Sequence, residues 1–329
     1  MMNAAVLGSG SWATAIVKIL SEKHDKILWW VREEEIKEGV LSKGHNPLFL
    51  RSCELPKEKI RISTDIKAII READTLFCVI PSAFVKKSFQ GVDAEDLKDK
   101  TLVIATKGII PDEVSIVSSF FRKRCNIPYS SQVVVSGPSH AEEIAEERLT
   151  YLTCGSENRN LAETIADNIA CKYVRTVISD DIEGIEYSAV LKNVYALAAG
   201  IAFGLGYGDN YIAVLISNAS MEMKRFLNVV DRREREINRL VYLGDLLVTA
   251  YSQHSRNRTF GQMIGKGYSV CSAQLEMEMI AEGYYSADGI HKINHELKVE
   301  IPIVEAVYRI LYEGSSPHRE FEMLSQTFQ

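Results

Sequence analysis

Two patterns of apolar and polar positions divide the chain. Up to about residue 178, short apolar runs rich in β-forming residues alternate with amphipathic helical stretches, which predicts βαβ units and a mainly parallel, doubly wound α/β sheet. Ligands bind beyond the carboxyl ends of the strands in such a sheet. The predicted strands are Ala4–Leu7, Lys26–Trp30, Thr75–Ile80, Leu102–Thr106, Val133–Ser136, Leu149–Cys154 and Tyr173–Val177, and the helices between them include Ala13–Glu22, Ile66–Arg71, Glu113–Arg124 and Ala141–Glu147.

Strand patterns almost vanish from about Asp180 onward, where the apolar positions recur at helical spacing. We therefore expect an α/β domain over residues 1–180 and an all-α domain over residues 181–329. The predicted helices of the second domain are Glu183–Phe203, Asn210–Asn228, Arg232–Tyr242, Cys271–Glu282 and Ile301–Tyr312.

Composition excludes several classes of protein. The net charge of −6 argues against a nucleic-acid binder, and the longest apolar stretch, Val194 to Gly206, is shorter than the roughly 20 residues that span a bilayer. The apolar N-terminus lacks the basic segment of a secretion signal, and the six cysteines form no CxxC pair. We expect a cytoplasmic protein with reduced thiols, no nucleic-acid partner and no membrane insertion.

A glycine-rich turn follows the first predicted strand. Gly8-Ser9-Gly10 lies between the strand Ala4–Leu7 and a helix, which is the context that a dinucleotide-binding GxGxxG motif requires. Gly8 serves the tight turn, Gly10 lets the backbone approach a pyrophosphate, and Ala13 is the small residue where helix and strand pack closely. We predict that this turn binds a nicotinamide dinucleotide.

The end of the second predicted strand bears on NAD versus NADP. Arg32 stands near the position where an NAD enzyme places a carboxylate for the ribose hydroxyls, and arginine suits a 2′-phosphate. Three glutamates, Glu33 to Glu35, follow at once, so a shift of one residue would restore an acidic partner. We favour NADP(H) with dual use, while Arg32 as a solvated residue at a helix start stays an open alternative.

A lysine interrupts a helix that is apolar nearly all round. Lys192 in this helix must reach solvent, pair with a carboxylate or lose its proton, and burial would make it a usable proton donor or acceptor near neutral pH. A lysine that reaches solvent at a domain edge is the alternative. Gly244-Asp245-Leu246-Leu247 places a carboxylate beside an apolar helix, where Asp245 could also be a helix cap. Ser255-Arg256-Asn257-Arg258 is expected to be a short loop rich in phosphate-binding donors, with Arg256 as a surface charge as the alternative.

The motifs taken together resemble the bacterial-type NAD(P)-dependent glycerol-3-phosphate dehydrogenases, in order and spacing over essentially the whole chain. The segments that carry the resemblance are Gly8-Ser9-Gly10-Ser11-Trp12, Asn46 with Phe49-Leu50, Ile80-Pro81-Ser82, Thr106-Lys107-Gly108, Ser136-Gly137-Pro138-Ser139, Leu191-Lys192-Asn193, Gly244-Asp245-Leu246, Ser255-Arg256-Asn257 and Ala281-Glu282-Gly283-Tyr284.

The resemblance implies reduction of dihydroxyacetone phosphate by NAD(P)H to sn-glycerol 3-phosphate for phospholipid synthesis. It implies Lys192 as the proton donor/acceptor, with Lys107 and Asp245 in the catalytic group. The substrate residues it implies are Lys107, Gly137, Ser139, Lys192, Asp245, Ser255, Arg256 and Asn257. The cofactor contacts are Gly8, Gly10, Ser11, Trp12, Arg32, Lys107, Ala141, Arg256, Ile280 and Glu282.

The chain departs from the family pattern at several positions. Ala13 replaces a more usual glycine, Ala83 a histidine and His140 a phenylalanine, and the last two bear on how the nicotinamide is positioned. The segment Val230–Asn238 is unusually charged; its residues 232–236 read as a solvated helix face and a candidate interface if the enzyme is a homodimer.

Other functions stay open at this stage. A β-hydroxyacid dehydrogenase or a ketopantoate-type reductase also combines a Rossmann-like domain with a lysine on a helix, although Ser255-Arg256-Asn257 favours a phosphorylated substrate. A non-catalytic NADPH sensor is disfavoured by the joint presence of Lys192, Asp245 and Lys107. His291 and His295 have one-face helical spacing, but without a third ligand we predict no metal.

Overall fold

The structure, a computed structural model, describes residues 2–277 and 281–328. The chain divides into two compact units, one made of Met1–Thr106 with Val117–Ile182 and the other of Lys107–Ile116 with Glu183–Gln329. This division differs from a single boundary at residue 180, because the segment Lys107–Ile116 belongs to the second unit. The segment packs there closely: a Cβ atom added to Gly289 would lie only 2.6 Å from Cγ2 of Ile109.

Short strands form wherever buried apolar runs were predicted, and three further strands were not predicted, namely one edge strand and the two short strands of a hairpin. The edge strand Ile60–Ser63 escaped prediction because only alternate residues of it are buried. The strands are β1 (Ala4–Leu7), β2 (Ile27–Trp30), β3 (Ile60–Ser63), β4 (Thr75–Cys78), β5 (Thr101–Ile104), β6 (Ile109–Ile110), β7 (Ser115–Ile116), β8 (Gln132–Ser136), β9 (Thr150–Gly155) and β10 (Val174–Ser179).

The described residues of the first unit form one eight-stranded sheet in the order β10-β9-β8-β5-β4-β1-β2-β3. Every neighbouring pair is parallel except β8 with β9, which confirms the mainly parallel, doubly wound sheet. The chain runs outward from β1 through β2 to β3 and then crosses to β4 on the other side. The carboxyl ends of β1 and β4 therefore flank the switch point where such sheets bind ligands.

Helices cover this sheet, and their buried faces complete its apolar core. They are α1 (Ser11–Ser21), α2 (Glu34–Lys43), α3 (Ile66–Glu72), α4 (Ser82–Ser88), α5 (Val117–Cys125), α6 (Ala141–Ala145) and α7 (Arg159–Ile169). The helix predicted over Glu113–Arg124 begins only at Val117. Residues Ser115–Ile116 pair with Ile109–Ile110 in an antiparallel hairpin instead.

The second unit is helical apart from this hairpin, within the residues that the structure describes. Its helices are α8 (Ile182–Gly204), α9 (Asp209–Val230), α10 (Asp245–Tyr251), α11 (Arg256–Gly265), α12 (Val270–Glu276), α13 (Glu282–Leu297), α14 (Pro302–Tyr312) and α15 (Pro317–Ser325). None of the described helices is long and apolar enough to cross a membrane.

Three predictions for this unit were wrong. The helix predicted over Arg232–Tyr242 is a loop followed by a π-helical turn at Leu240–Gly244. Its charged residues form no helix face: Arg232, Glu234 and Glu236 are exposed in the loop, as predicted, but Arg235 is buried. Arg235 donates hydrogen bonds to the carbonyl oxygens of Leu227 and Asp231, at the end of α9. Each of these carbonyl oxygens also accepts a backbone amide, that of Asp231 at 3.1 Å for Leu227 and that of Arg233 at 2.9 Å for Asp231, so the guanidinium adds a second donor to each.

The other two errors concern helix ends. The helix predicted over Cys271–Glu282 ends at Glu276, and Glu282 begins α13. The segment Ser255–Arg258 is not a loop but the start of α11, since the Ser255 hydroxyl caps the helix by accepting a hydrogen bond from the Arg258 amide.

Glycines let α8 and α11 approach backbone to backbone. A Cβ atom would lie 2.1 Å from the Arg258 oxygen at Gly200, and 2.2 Å from the Leu197 oxygen at Gly261. The same holds one turn further on, where a Cβ on Gly265 would lie 2.3 Å from the Ile201 oxygen. Small residues on both helices therefore fix the start of α11 beside the middle of α8.

We predict that Gly261→Ala lowers the free energy of unfolding by about 1–3 kcal/mol, because the backbones of α8 and α11 must separate to admit the methyl group. Urea denaturation measures the effect. Gly208→Ser is the matched control, since a Cβ there meets no atom within 4 Å and the residue is the N-cap of α9. Equal stability of Gly261→Ala and the wild type would contradict the close approach.

Candidate active site

The glycine-rich turn joins β1 to α1 and uses its two glycines differently. Gly8 has φ +144°, and a Cβ atom on it would lie 2.6 Å from the carbonyl oxygen of Val79, just after β4. Gly10 is the N-cap of α1 with ordinary extended angles, and a Cβ atom on it would meet nothing within 4 Å. Gly8 is thus required by the fold, whereas Gly10 leaves open space before the helix.

Side chains from neighbouring elements hold the carbonyl oxygens of this turn. The Trp29 indole donates a 2.7 Å hydrogen bond to the Gly8 oxygen, and the buried Asn46 amide donates one of 2.9 Å to the Ser9 oxygen. The first amides of a helix have no intrahelical acceptor and form a ready anion site. The turn therefore fits a dinucleotide pyrophosphate.

Two side chains tie this region to other strands. Trp12 donates from its indole to the Ala105 carbonyl oxygen, 3.1 Å away and just after β5. The backbone amide of Arg32 donates to the Ser9 hydroxyl, 3.0 Å away, so the end of β2 lies against the turn. The Arg32 guanidinium pairs with Glu33 at 2.6 Å and is largely exposed.

The predicted substrate-binding segment Ser136-Gly137-Pro138-Ser139 begins at the last residue of β8. Gly137 has φ +142°, and a Cβ atom on it would lie 2.6 Å from the Tyr151 oxygen, so the position demands glycine. The Ser139 hydroxyl donates to the Gly137 oxygen at 2.9 Å, and Ala141 begins α6. These residues lie in the same unit as the glycine-rich turn.

Lys192 lies in the middle of α8 and is buried, as its apolar neighbours predicted. Its ammonium donates hydrogen bonds to Asp245 Oδ1 at 2.5 Å and to the Thr249 hydroxyl at 3.0 Å. Asp245 is buried at the start of α10, and Thr249, one turn later, donates its own proton to the Asp245 carbonyl oxygen. Of the outcomes open to a lysine in this helix, pairing with a carboxylate is the one adopted.

Burial lowers the pKa of Lys192 to about 7. Desolvation is the largest cause, since it disfavours the charged ammonium, and the positive charge of Lys107 acts in the same direction. The Asp245 carboxylate opposes both. Lys107 lies 3.7 Å from the other oxygen of that carboxylate, so two amines share one buried acid.

A chain of asparagine side chains connects this cluster to two further helices. Asn193 on α8 donates to the Lys107 carbonyl oxygen at 3.1 Å and accepts from Asn257 on α11 at 3.0 Å. The Asn257 carbonyl in turn accepts the Gly283 amide of α13 at 2.8 Å. Thr249 was not singled out from the sequence, although it lies one helical turn after Asp245. Asn193 entered only as part of the motif Leu191-Lys192-Asn193, without a role of its own.

The remaining predicted residues of this unit lie at the ends of helices. Arg256 is exposed in the first turn of α11 beside the capping residue Ser255, and Glu282 is the first residue of α13. Ile280, an expected cofactor contact, lies outside the described residues. His291 accepts or donates a 2.8 Å hydrogen bond with Glu305 and stacks on Tyr308, so the histidine spacing serves the packing of α13 on α14.

Another buried carboxylate was not singled out from the sequence. Glu222 on α9 accepts hydrogen bonds from the amides of Ile303 and Val304 in the first turn of α14, at 2.8 and 3.1 Å. Burial raises the pKa of Glu222 to about 8 despite these bonds. The carboxylate satisfies helix-start amides of α14, so its position is explained by packing.

Family models match both units of this chain. The N-terminal model of the NAD-dependent glycerol-3-phosphate dehydrogenases matches residues 3–162, and the C-terminal model matches residues 181–322. The chain belongs to the NAD-dependent glycerol-3-phosphate dehydrogenase family. It is thus an NAD(P)-dependent oxidoreductase, as the motifs had indicated.

Relatives of this dehydrogenase agree over nearly the whole chain. A glycerol-3-phosphate dehydrogenase [NAD(P)+] of Exiguobacterium sp. is 34% identical over 98% of this chain and 95% of the relative. One of Syntrophotalea carbinolica is 35% identical over 96% of this chain and 95% of the relative. A crystal structure of glycerol-3-phosphate dehydrogenase from Coxiella burnetii has a TM-score of 0.91 at 28% identity, covering 98% of both chains.

The alternative family shares the fold alone. A ketopantoate reductase from Ralstonia eutropha has a TM-score of 0.61 at 15% identity, covering 97% of this chain and 99% of that one. The ketopantoate reductase therefore shares the architecture of this chain, but the similarity does not support a ketopantoate reductase activity.

We predict opposite effects for the two glycines of the cofactor turn. Gly10→Val should leave the dehydrogenase folded, with the small loss of stability expected for valine at an N-cap, and weaken NADPH binding by roughly tenfold or more, since the added carbons occupy the space for the pyrophosphate. Gly8→Ala should lower the melting temperature, because its Cβ meets the Val79 oxygen. Calorimetric titration and thermal melting test both. Unchanged NADPH binding by Gly10→Val would refute the assignment of this turn.

Proposed function

We propose that the enzyme reversibly reduces dihydroxyacetone phosphate to sn-glycerol 3-phosphate with NADH or NADPH, and that Lys192 exchanges the proton with the C2 oxygen of the substrate. The supporting observation is the buried ammonium of Lys192, bonded to Asp245 and Thr249 in the second unit. Ketone reduction adds one hydride to carbon and one proton to oxygen. A bound nicotinamide supplies the hydride, so the protein must supply the proton.

Lys192 meets the requirements of this proton transfer. Negative charge develops on the ketone oxygen during reduction, and a nearby ammonium stabilises that charge before it delivers its proton. A pKa of about 7 leaves both protonation states of Lys192 populated at neutral pH. The same amine can therefore act as an acid in reduction and as a base in alcohol oxidation.

Asp245 and Thr249 have a positioning role in this scheme. Their two acceptor atoms fix the direction of the Lys192 ammonium within an apolar helix, and the Asp245 charge compensates part of the desolvation. Lys107 bears a second positive charge at the same carboxylate. We propose that Lys107 contacts the substrate and raises the acidity of Lys192 by repulsion.

The phosphate of the substrate requires a separate group of donors. Arg256 at the start of α11 is the proposed main contact, because a guanidinium binds phosphate through paired hydrogen bonds. The Asn257 side chain donates one amide proton to Asn193 and accepts the Gly283 amide through its oxygen. We propose that its second amide proton binds the substrate. Ser255, Gly137 and Ser139 are proposed further contacts.

Most of the proposed cofactor contacts lie in the glycine-rich turn and at the starts of helices. The turn would hold the pyrophosphate, and Arg32 the adenosine end. The full proposed set is Gly8, Gly10, Ser11, Trp12, Arg32, Lys107, Ala141, Arg256, Ile280 and Glu282. We further propose that the product supplies glycerophospholipid synthesis and that the enzyme works in the cytoplasm, where its free cysteines stay reduced.

We predict that Lys192→Ala lowers kcat for dihydroxyacetone phosphate by about 10²–10⁴-fold, the usual contribution of a general acid, while NADPH binding changes little. Turnover is followed by NADPH oxidation, and binding by calorimetric titration. Lys266→Ala, at an exposed lysine that ends α11, is the matched control and should keep wild-type turnover. Thermal melting shows whether each variant is folded.

Substrate choice separates this function from its alternatives. The wild type should oxidise NADPH with dihydroxyacetone phosphate and be far slower with ketopantoate or a β-keto acid. A folded Lys192→Ala variant with wild-type turnover would refute the role of Lys192. No oxidation by the wild type with dihydroxyacetone phosphate would refute the proposed reaction.

A further inference from the structure

A cavity lies at the end of α9, on residues that take no part in the candidate active site. Its volume is about 360 Å³, which is within the range of small-molecule sites. The last two turns of α9 and the loop that follows them form its lining, which consists of Lys224, Asn228, Arg232, Arg233, Glu234 and Arg235. The loop is part of the unusually charged segment Val230–Asn238, to which the proposed reaction gives no role.

The cavity is positively charged although the protein as a whole is acidic. Four of its six lining residues are cationic and one is a carboxylate, a formal excess of three positive charges on a chain whose net charge is −6. Asp231, which pairs with Arg233 at 2.7 Å and with Arg235 at 2.9 Å, offsets one of these charges. A concave surface with charges of one sign concentrates ligands of the opposite sign, so the cavity favours anions.

Two of the arginines are held in place by the backbone around them. Arg235 is buried and donates to the carbonyl oxygens of Leu227 and Asp231, at 3.0 and 2.7 Å. Arg233 donates from Nε to the same Asp231 carboxylate oxygen that Arg235 contacts, and its backbone amide donates to the Asp231 carbonyl oxygen at 2.9 Å. These bonds fold the loop back onto the end of α9, and so they fix one wall of the cavity.

The other two cations have no such partners. Lys224 and Arg232 are exposed, and neither side chain forms an ion pair or a hydrogen bond within residues 2–277 and 281–328. The side-chain amide of Asn228, one helical turn after Lys224, likewise makes no hydrogen bond within those ranges. Two charged donors and one amide are therefore available to a ligand, and a bound anion would reduce the repulsion among the cations of the cavity.

The chemistry of these donors fits a phosphate group. A guanidinium binds phosphate oxygens through paired hydrogen bonds, and an ammonium adds a compact positive charge. A phosphate monoester carries a charge of about −2 near neutral pH, which matches the excess charge of the cavity more closely than a single carboxylate does. Glu234 is the one lining residue that repels such a ligand.

We propose that this cavity is a second anion site of the enzyme, which binds a phosphate-bearing molecule through Lys224, Asn228 and Arg232. The site shares no residue with the proposed phosphate contacts of the substrate at the start of α11. It does not depend on the identity of the substrate or on the role of Lys192. A soluble phosphate ester and the headgroup of a phosphatidate lipid both present this chemistry, and the experiment separates them.

The test is calorimetric titration with inorganic pyrophosphate, without divalent cations, in an Arg256→Gln parent that lacks the main proposed phosphate contact of the substrate site. Lys224→Gln and Arg232→Gln should each weaken pyrophosphate binding by roughly threefold or more, and together by roughly tenfold or more, because each removes one charged donor. Glu234→Gln should tighten binding by roughly threefold, because it removes a repelling carboxylate. Damage to the fold would not produce this gain in affinity.

Lys266→Gln is the matched control, since it removes one exposed positive charge at the end of α11 and should leave pyrophosphate binding unchanged. The proposal is overturned if the Arg256→Gln parent binds no pyrophosphate, if the double variant of Lys224 and Arg232 binds it as tightly as the parent, or if Glu234→Gln weakens it.

Flotation with phosphatidylcholine vesicles that contain phosphatidate identifies the source of the phosphate. Capture of the wild type that the double variant of Lys224 and Arg232 loses indicates a lipid headgroup. Pyrophosphate binding without capture by these vesicles indicates a soluble phosphate ester. Neither measurement uses a keto substrate, so both report on the cavity even if dihydroxyacetone phosphate proves inactive.

Discussion

The hydrogen-bonded ion pair between Lys192 and Asp245 is the constraint on which the second unit depends. An ammonium inside an apolar helix is unfavourable without a partner, and a lone buried carboxylate is equally so. Together they are tolerated, but the balance between desolvation and attraction keeps the Lys192 proton labile, with a pKa of about 7. An interaction that makes burial of the lysine possible therefore also makes the lysine reactive.

The surrounding packing keeps that pair in place. Gly200 and Gly261 let α8 and α11 touch through their backbones, which sets Asn257 within hydrogen-bond distance of Asn193. Asn193 in turn holds the Lys107 carbonyl, and so holds the second amine near Asp245. Small residues and side-chain amides, which carry no charge themselves, thus position the groups that set the pKa of Lys192.

Local sequence predicted the parts of this arrangement that are local in the chain. The strand-turn-helix around Gly8 and Gly10 and the burial of Lys192 follow from spacing alone. The partnership of Lys192 with Asp245 joins residues 53 positions apart, and no periodicity reveals it. Arg235 was misread for the same reason, because its mixed-charge neighbours suggested solvent while its partners are carbonyl oxygens at the end of α9.

The central claim is that the surroundings of Lys192 lower its pKa to about 7. It is tested most directly by the pH dependence of kcat/KM for ketone reduction and for alcohol oxidation. Reduction needs the ammonium, so its kcat/KM should be highest below a pH of about 7 and fall above it, whereas alcohol oxidation needs the neutral amine and should rise through the same pH. Lys107→Gln removes a repelling charge, raises the pKa of Lys192 and should move both limbs to higher pH. Profiles without opposite limbs near neutrality, or a shift to lower pH in Lys107→Gln, would contradict the account.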